Sequence, residues 1–218
     1  MPEYNTVIFD MDGTVLNTLE DMTDSVNHTM ALFDFPIRTL SEVRSFVGNG
    51  IGRLVELCVP GGKENPLFTD CLAAFKEYYE AHMQVKTGPY EGIPELLTIL
   101  KNRGYKLAIV SNKFDDAVKE LTPFYFGDAV PVAVGESAGV AKKPAPDTVF
   151  KALEELRSSV DAALYVGDSE VDAETARNAA LPFVGVTWGF RDRALLEEKG
   201  ARWIIDKPEA LLEILSEA

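Results

Sequence analysis

This 218-residue sequence is poor in cysteine and histidine, and its basic residues are well outnumbered by acidic ones. Its two cysteines, Cys58 and Cys71, stand alone without metal-ligand spacing. That excludes a disulfide framework and a thiolate zinc site, and predicts free, at least half-buried thiols in a reducing compartment. The two histidines, His28 and His82, fall within helical patterns and read as helix-surface or packing residues, and Met22, Met30 and Met83 as core filler. Lysine and arginine number 21 against 35 acidic residues, a net charge of −14. Such a chain repels nucleic acid and anionic membranes at long range, so neither is expected as a partner. It equally repels a phosphate ester, so any phosphate site must be locally basic or bridged by a metal ion. No apolar run approaches the length of a membrane span, and the opening MPEYNTVIFDMDG has no basic leader. The expected compartment is the cytoplasm. Composition is otherwise ordinary, 46% hydrophobic and 26% charged, which predicts a folded chain with a true core.

Short apolar runs recur at Thr6–Phe9, Lys106–Val110, Val130–Val134, Ala162–Val166, Phe183–Thr187 and Arg202–Ile205. Nearly continuous apolar runs rich in Val and Ile fit strands buried on both faces. Helical spacing separates them, as in Ile93, Leu96, Leu97, Leu100 and in Val149, Phe150, Leu153, Leu156. Strand–helix alternation predicts an α/β fold with a mostly parallel sheet, whose ligands sit at the carboxyl ends of the strands. One segment breaks the rhythm. Between about Leu16 and Met83 the pattern is helical throughout, with a capping box at Thr39-Leu-Ser-Glu42 and a loop at Pro60-Gly-Gly. Thr87–Gly92 reads as the return linker. The expected organisation is therefore an α/β core of residues 1–16 and 84–218, with a helical insertion of residues 17–83.

Chemistry concentrates where apolar runs end. Val7-Ile-Phe-Asp10-Met-Asp12-Gly-Thr14 closes a strand with two carboxylates on alternate residues, able to face one crevice. Such a pair is costly without a cation, and magnesium, which accepts a few carboxylates plus phosphate, suits it; a solvated acidic turn is the plainer reading. Tyr165-Val-Gly-Asp168-Ser-Glu-Val-Asp172 repeats the pattern, with Asp172 one helical turn further on. The two strand ends suggest one shared metal site, against helix capping by Asp168 or Ser169. Ser111-Asn112-Lys113 ends another strand in a hydroxyl, which also suits an N-cap. Lys142-Lys143-Pro144-Ala-Pro146-Asp147 supplies a cation just before a helix start, or a surface lysine pair. Together these elements offer a nucleophile, an acid/base, metal ligands, a hydroxyl and a cation, which is what phosphoryl transfer needs.

The four segments, in this order and covering essentially the whole chain, resemble the motifs of the haloacid dehalogenase superfamily of phosphotransferases. The resemblance implies a Rossmann-like sheet flanked by helices, the helical insertion being a cap that closes over the site. It makes Asp10 the nucleophile and Asp12 the general acid/base. It assigns Mg2+ to Asp10, the backbone carbonyl of Asp12 and Asp168, with Asp172 in direct contact or one shell out. Ser111 and Lys143 would bind the transferred phosphoryl oxygens, with Thr14 and Asn112 beside them; Lys142 is the alternative should the loop register differ.

Within the insertion, Arg44-Ser-Phe-Val-Gly-Asn49-Gly50-Ile-Gly-Arg53 places glycines and an asparagine at a helix start between two cations. An ordinary helix–loop–helix turn would look the same, but free N–H groups there attract anions. This segment and Trp188-Gly-Phe190 resemble the phosphoglycolate phosphatase-like subgroup, which implies a small phosphorylated metabolite, 2-phosphoglycolate, as substrate. Arg44, Asn49, Gly50 and Arg53 would face its carboxylate. The same core motifs fit a sugar-phosphate mutase resembling β-phosphoglucomutase, a pyrophosphatase or a nucleotidase. A receiver-like phosphoacceptor module also combines acids, magnesium, a hydroxyl and a lysine on an α/β sheet. The acid two residues after the nucleophile and the helical insertion oppose that last reading. Monomer and homodimer both stay open.

Overall fold

The computed structural model describes residues 4–217. Six strands form one sheet: β1 (Thr6–Phe9), then β4 (Lys106–Phe114), β5 (Val132–Glu136), β6 (Ala163–Gly167), β7 (Phe183–Val186) and β8 (Trp203–Ile205). The two-residue strands β2 (Leu16–Asn17) and β3 (Gly88–Pro89) pair separately where the chain leaves and re-enters this unit. The sheet order is β5-β4-β1-β6-β7-β8, with every pair parallel. β1 thus lies between β4 and β6. After β5 the chain crosses to the other side of β1, which makes the carboxyl end of β1 a topological switch point, where a parallel sheet opens a crevice. All four β1 residues are buried, and Ile8 packs with Ala108, Val110, Val134 and Tyr165 in the core. Two buried faces explain why these strands read as unbroken apolar runs.

The chain divides into two compact units, one running to Leu16 and resuming at Pro89, the other Asn17–Gly88. The first carries the sheet and the helices α5 (Ile93–Asn102), α6 (Asp115–Phe126), α7 (Asp147–Glu155), α8 (Glu170–Asn178), α9 (Arg193–Glu198) and α10 (Leu211–Glu217). The second carries α1 (Leu19–Leu32), α2 (Leu40–Phe46), α3 (Ile51–Cys58) and α4 (Phe68–His82). Thr39 and Glu42 form the capping box that opens α2. His28 and His82 stack on either side of Tyr78, with ring centroids 3.8 and 3.9 Å apart. Burial pushes the Cys58 thiol up to about 12, which leaves it inert.

The sequence puts residues 84–88 with the sheet; the structure puts them with the helices. The reason is Asp21. Its buried carboxylate, on α1, accepts the backbone N–H groups of Val85, Lys86 and Thr87 at 3.1, 3.0 and 2.8 Å. Three charge-assisted bonds hold the returning segment within the helical unit.

Candidate active site

Asp10, Ser111 and Asp168 are positioned by strands that the apolar pattern dictates, and Lys143 by the loop before α7. Asp10 follows β1 and is 5% exposed. Its Oδ1 accepts from Lys143 Nζ at 2.5 Å, and its Oδ2 lies 3.3 Å from the hydroxyl of Thr14, which is itself 3.4 Å from Asp168 Oδ1. Lys143 Nζ also reaches Asp172 Oδ1 at 2.8 Å and the Tyr165 hydroxyl at 3.1 Å. Of the two adjacent lysines, Lys143 enters the site, and Lys142 is exposed. Asp10, Asp168 and Asp172 are buried, each with a carboxylate oxygen within 4.8 Å of the others.

Ser169 caps α8, and Asp172 completes its capping box; Asp172 Oδ2 accepts the Ser169 hydroxyl at 2.6 Å and its N–H at 3.1 Å. The capping and the site therefore coexist in the same residues. Both Asp172 oxygens are engaged, Oδ1 with Lys143 and Tyr165, Oδ2 with Ser169. Asp168 is seated differently. The N–H of Phe190 donates to its Oδ2 at 2.6 Å, and the Trp188 indole N–H donates to the Thr14 carbonyl at 2.9 Å. Gly13 lies at φ +97, and a Cβ there would stand 2.5 Å from Asp168 Oδ2. Glycine is thus required twice over, for the backbone turn and for the carboxylate's place. The Trp188-Gly-Phe190 segment that stands out in the sequence proves to be the wall behind Asp168.

β4 runs further than its apolar run. It continues through Ser111-Asn112-Lys113 to Phe114 with a register irregularity after Val110. Phe114, not Ser111, occupies the N-cap position of α6, which removes the capping role for Ser111. The Ser111 hydroxyl lies 3.5 Å from Asp12 Oδ2 and accepts the Lys113 N–H at 3.1 Å. The Asn112 side-chain amide donates to the Lys143 carbonyl at 2.9 Å, which ties the lysine loop to β4. Lys113 and Tyr165 are site residues that the motif reading passes over. Strand alternation was the available signal: Lys113 shares a side with Ser111.

The electrostatics follow from three carboxylates sharing one ammonium. Burial, then the Asp172 charge, hold the Asp10 carboxyl well above the usual range, with Lys143 pulling the other way. The same two causes push Asp168 up to about 7. Burial alone would lower Lys143, but the charges of Asp10 and Asp172 outweigh it and hold the ammonium well above its ordinary value. A further cation among these oxygens would relieve the repulsion, so the donor set fits a hard divalent ion.

Arg44, Asn49, Gly50 and Arg53 belong to the helical unit. Gly50 caps α3 at φ 83, and Arg53 pairs with Glu56 at 2.8 Å, which already occupies part of its charge.

Residues 7–186 match the family model of haloacid dehalogenase-like hydrolases. The chain is 34% identical over 193 residues to a phosphoglycolate phosphatase of Rhodobacter capsulatus, covering 87% of each. It is 33% identical over 189 residues to a phosphoglycolate phosphatase of Cereibacter sphaeroides, covering 85% of this chain and 86% of that one. A crystal structure of a protein from Lactobacillus delbrueckii subsp. bulgaricus superposes with a TM-score of 0.93 at 34% identity over 99% of both chains.

Proposed function

The chain belongs to the haloacid dehalogenase-like hydrolases, and on that footing we propose that it is a Mg2+-dependent phosphatase of small phosphorylated metabolites, with 2-phosphoglycolate as substrate. The observation that carries this reading is the gathering of Asp10, Asp168 and Asp172 within 4.8 Å beside the Lys143 ammonium. The substrate rests on the relatives' names and on the resemblance of the Gly48-Asn49-Gly50 and Trp188-Gly-Phe190 segments. A cytoplasmic setting suits two buried free thiols.

In this reading an Asp10 oxygen attacks phosphorus in line, forming an aspartyl phosphate as the bond to the leaving oxygen breaks. Asp12 gives that oxygen its proton, then takes a proton from the water that hydrolyses the acyl phosphate and releases inorganic phosphate. Lys143 and Ser111 steady the transferred oxygens. Thr14, within reach of both Asp10 and Asp168, orients the two carboxylates toward one point. Mg2+ would be held by Asp10, Asp168 and the Asp12 carbonyl, and would supply charge neutralisation for the phosphoryl group. Asp172, with both oxygens committed to protein donors, supports from one shell out. The resemblance would also give Arg44, Asn49, Gly50 and Arg53 a part in substrate binding.

Phosphate release across 2-phosphoglycolate, hexose phosphates, nucleotides and pyrophosphate, with and without Mg2+, tests the reading. Phosphoglycolate should lead the panel, and chelation should abolish turnover. A lead by hexose phosphates would overturn the substrate, and undiminished turnover under chelator would overturn the metal.

Metal binding should also appear in stability. Asp168 titrates near 7 in the folded chain, against an ordinary unfolded value of about 3.9. Between these values the folded state binds the extra proton. Its stabilising contribution is complete below the unfolded value and is lost as pH rises through about 7. Mg2+ needs the ionised carboxylate and competes with that proton. At roughly 100-fold excess over its Kd it should stabilise by about 2.7 kcal/mol near pH 8, some 5–10 °C in Tm, and by less than half as much near pH 5.5. Thermal unfolding at the two pH values checks this; an equal Mg2+ effect at both would count against Asp168 as a ligand.

A further inference from the structure

Among the described residues only two lysines, and no arginine, are buried: Lys143 and Lys113. Lys143 is committed to Asp10 and Asp172. Lys113 has a fully shielded side chain, and its Nζ stands 3.1 Å from Oδ1 of Asp12, whose own side chain is 12% exposed. A buried ammonium is a poor stabiliser, because an apolar side chain would fill the space without losing hydration. The phosphoryl-transfer step as described uses Asp12 but gives Lys113 no task.

We infer that Lys113 is a specificity-determining residue for the leaving group: its ammonium receives a carboxylate that the leaving alcohol carries one methylene from the ester oxygen, exchanging it for the Asp12 carboxylate it otherwise holds. The inference rests on the proposed reading of Asp12 as proton donor and of a phosphorylated hydroxy acid as substrate. Position supports it. Lys143, Thr14 and Asp168 surround Asp10, on the side where phosphorus is captured. Lys113 stands instead against Asp12, the group to which the proposed reading gives the departing oxygen. Energetics support it too. Trading one carboxylate for another keeps the buried ammonium paired throughout, so its desolvation is never left uncompensated. The base of the side chain is fixed within β4, where the Lys113 N–H donates to Ser111 Oγ at 3.1 Å. A chain of net charge −14 repels a substrate carrying both a phosphoryl dianion and a carboxylate, and a dedicated local cation counters that. An ester with an uncharged leaving alcohol offers Lys113 nothing in exchange, which is how a site discriminates.

The test compares kcat/KM for 2-phosphoglycolate and ethyl phosphate in the full chain with Mg2+, for wild type, Lys113→Met, Lys113→Gln and Lys113→Arg. Wild type should prefer phosphoglycolate by roughly 10–100-fold, the worth of one charge-assisted contact. Met and Gln should erase that preference, mainly by raising KM for phosphoglycolate, on top of whatever loss both esters share once Asp12 has lost its partner. Arg should restore part of it. The ratio within one preparation is unaffected by any fraction that fails to fold. If Met and Gln slow both esters equally and keep the preference, Lys113 merely holds Asp12 in place and the inference falls alone. If wild type itself shows no preference, the substrate reading falls and takes this inference with it.

Discussion

Asp10→Asn should fold normally and lose turnover by at least about 10⁴-fold, the scale seen when a covalent nucleophile is removed. Asparagine keeps the shape of the side chain but is far too weak a nucleophile to capture phosphorus. Folding should survive because the wild-type carboxyl is itself under strain of charge. Burial and the Asp172 carboxylate both disfavour its ionised form. Removing one of three crowded charges relieves Asp168 and Asp172, while Lys143 keeps Asp172 at 2.8 Å. Circular dichroism and a Tm within a few degrees of wild type would establish the fold, and steady-state phosphate release would give the loss. Turnover within about tenfold of wild type would remove the aspartyl phosphate from the mechanism.

Asp12→Asn should fail differently. Loss of general acid–base help costs about 10²–10⁴-fold in steady-state turnover. With p-nitrophenyl phosphate, whose leaving group needs no proton, the first step should still run and hydrolysis should not. Phosphoenzyme should then accumulate as a burst approaching one equivalent, seen by acid quench and intact-mass measurement. The same variant loses the carboxylate that Lys113 holds at 3.1 Å, so a small fall in Tm is expected alongside. A variant that turns over steadily with no burst would assign the proton work to another group. Wild-type chain that accumulated one stable phosphoryl group without multiple turnover would be a receiver-like phosphoacceptor instead.

Much of the arrangement is legible in the linear chain because strand periodicity constrains it. An apolar run buried on both faces has to end somewhere, and residues such as Asp10, Ser111 and Asp168 cluster at those ends. Parallel order then brings the ends to one edge of the sheet, β1 between β4 and β6. What the pattern does not carry is how a polar side chain is satisfied once it is there. Ser169 and Asp172 read equally well as a cap or as site residues, and the structure makes them both. Asn112, grouped with substrate contacts by its neighbours, fastens the Lys143 loop. Tyr165 sits in an apolar strand and gives no signal until its hydroxyl meets Lys143 and Asp172.

The amino-acid order by itself determined the α/β class, the helical insertion and the acids at the strand ends, because hydrophobic periodicity and strand alternation are local properties. Tertiary structure alone decided that Asp21 draws residues 84–88 to the helical unit, and that Lys113 stands against Asp12. Those outcomes turn on pairings of buried charges across long stretches of chain. Such pairings depend on distance and desolvation in space, which no spacing along the sequence encodes.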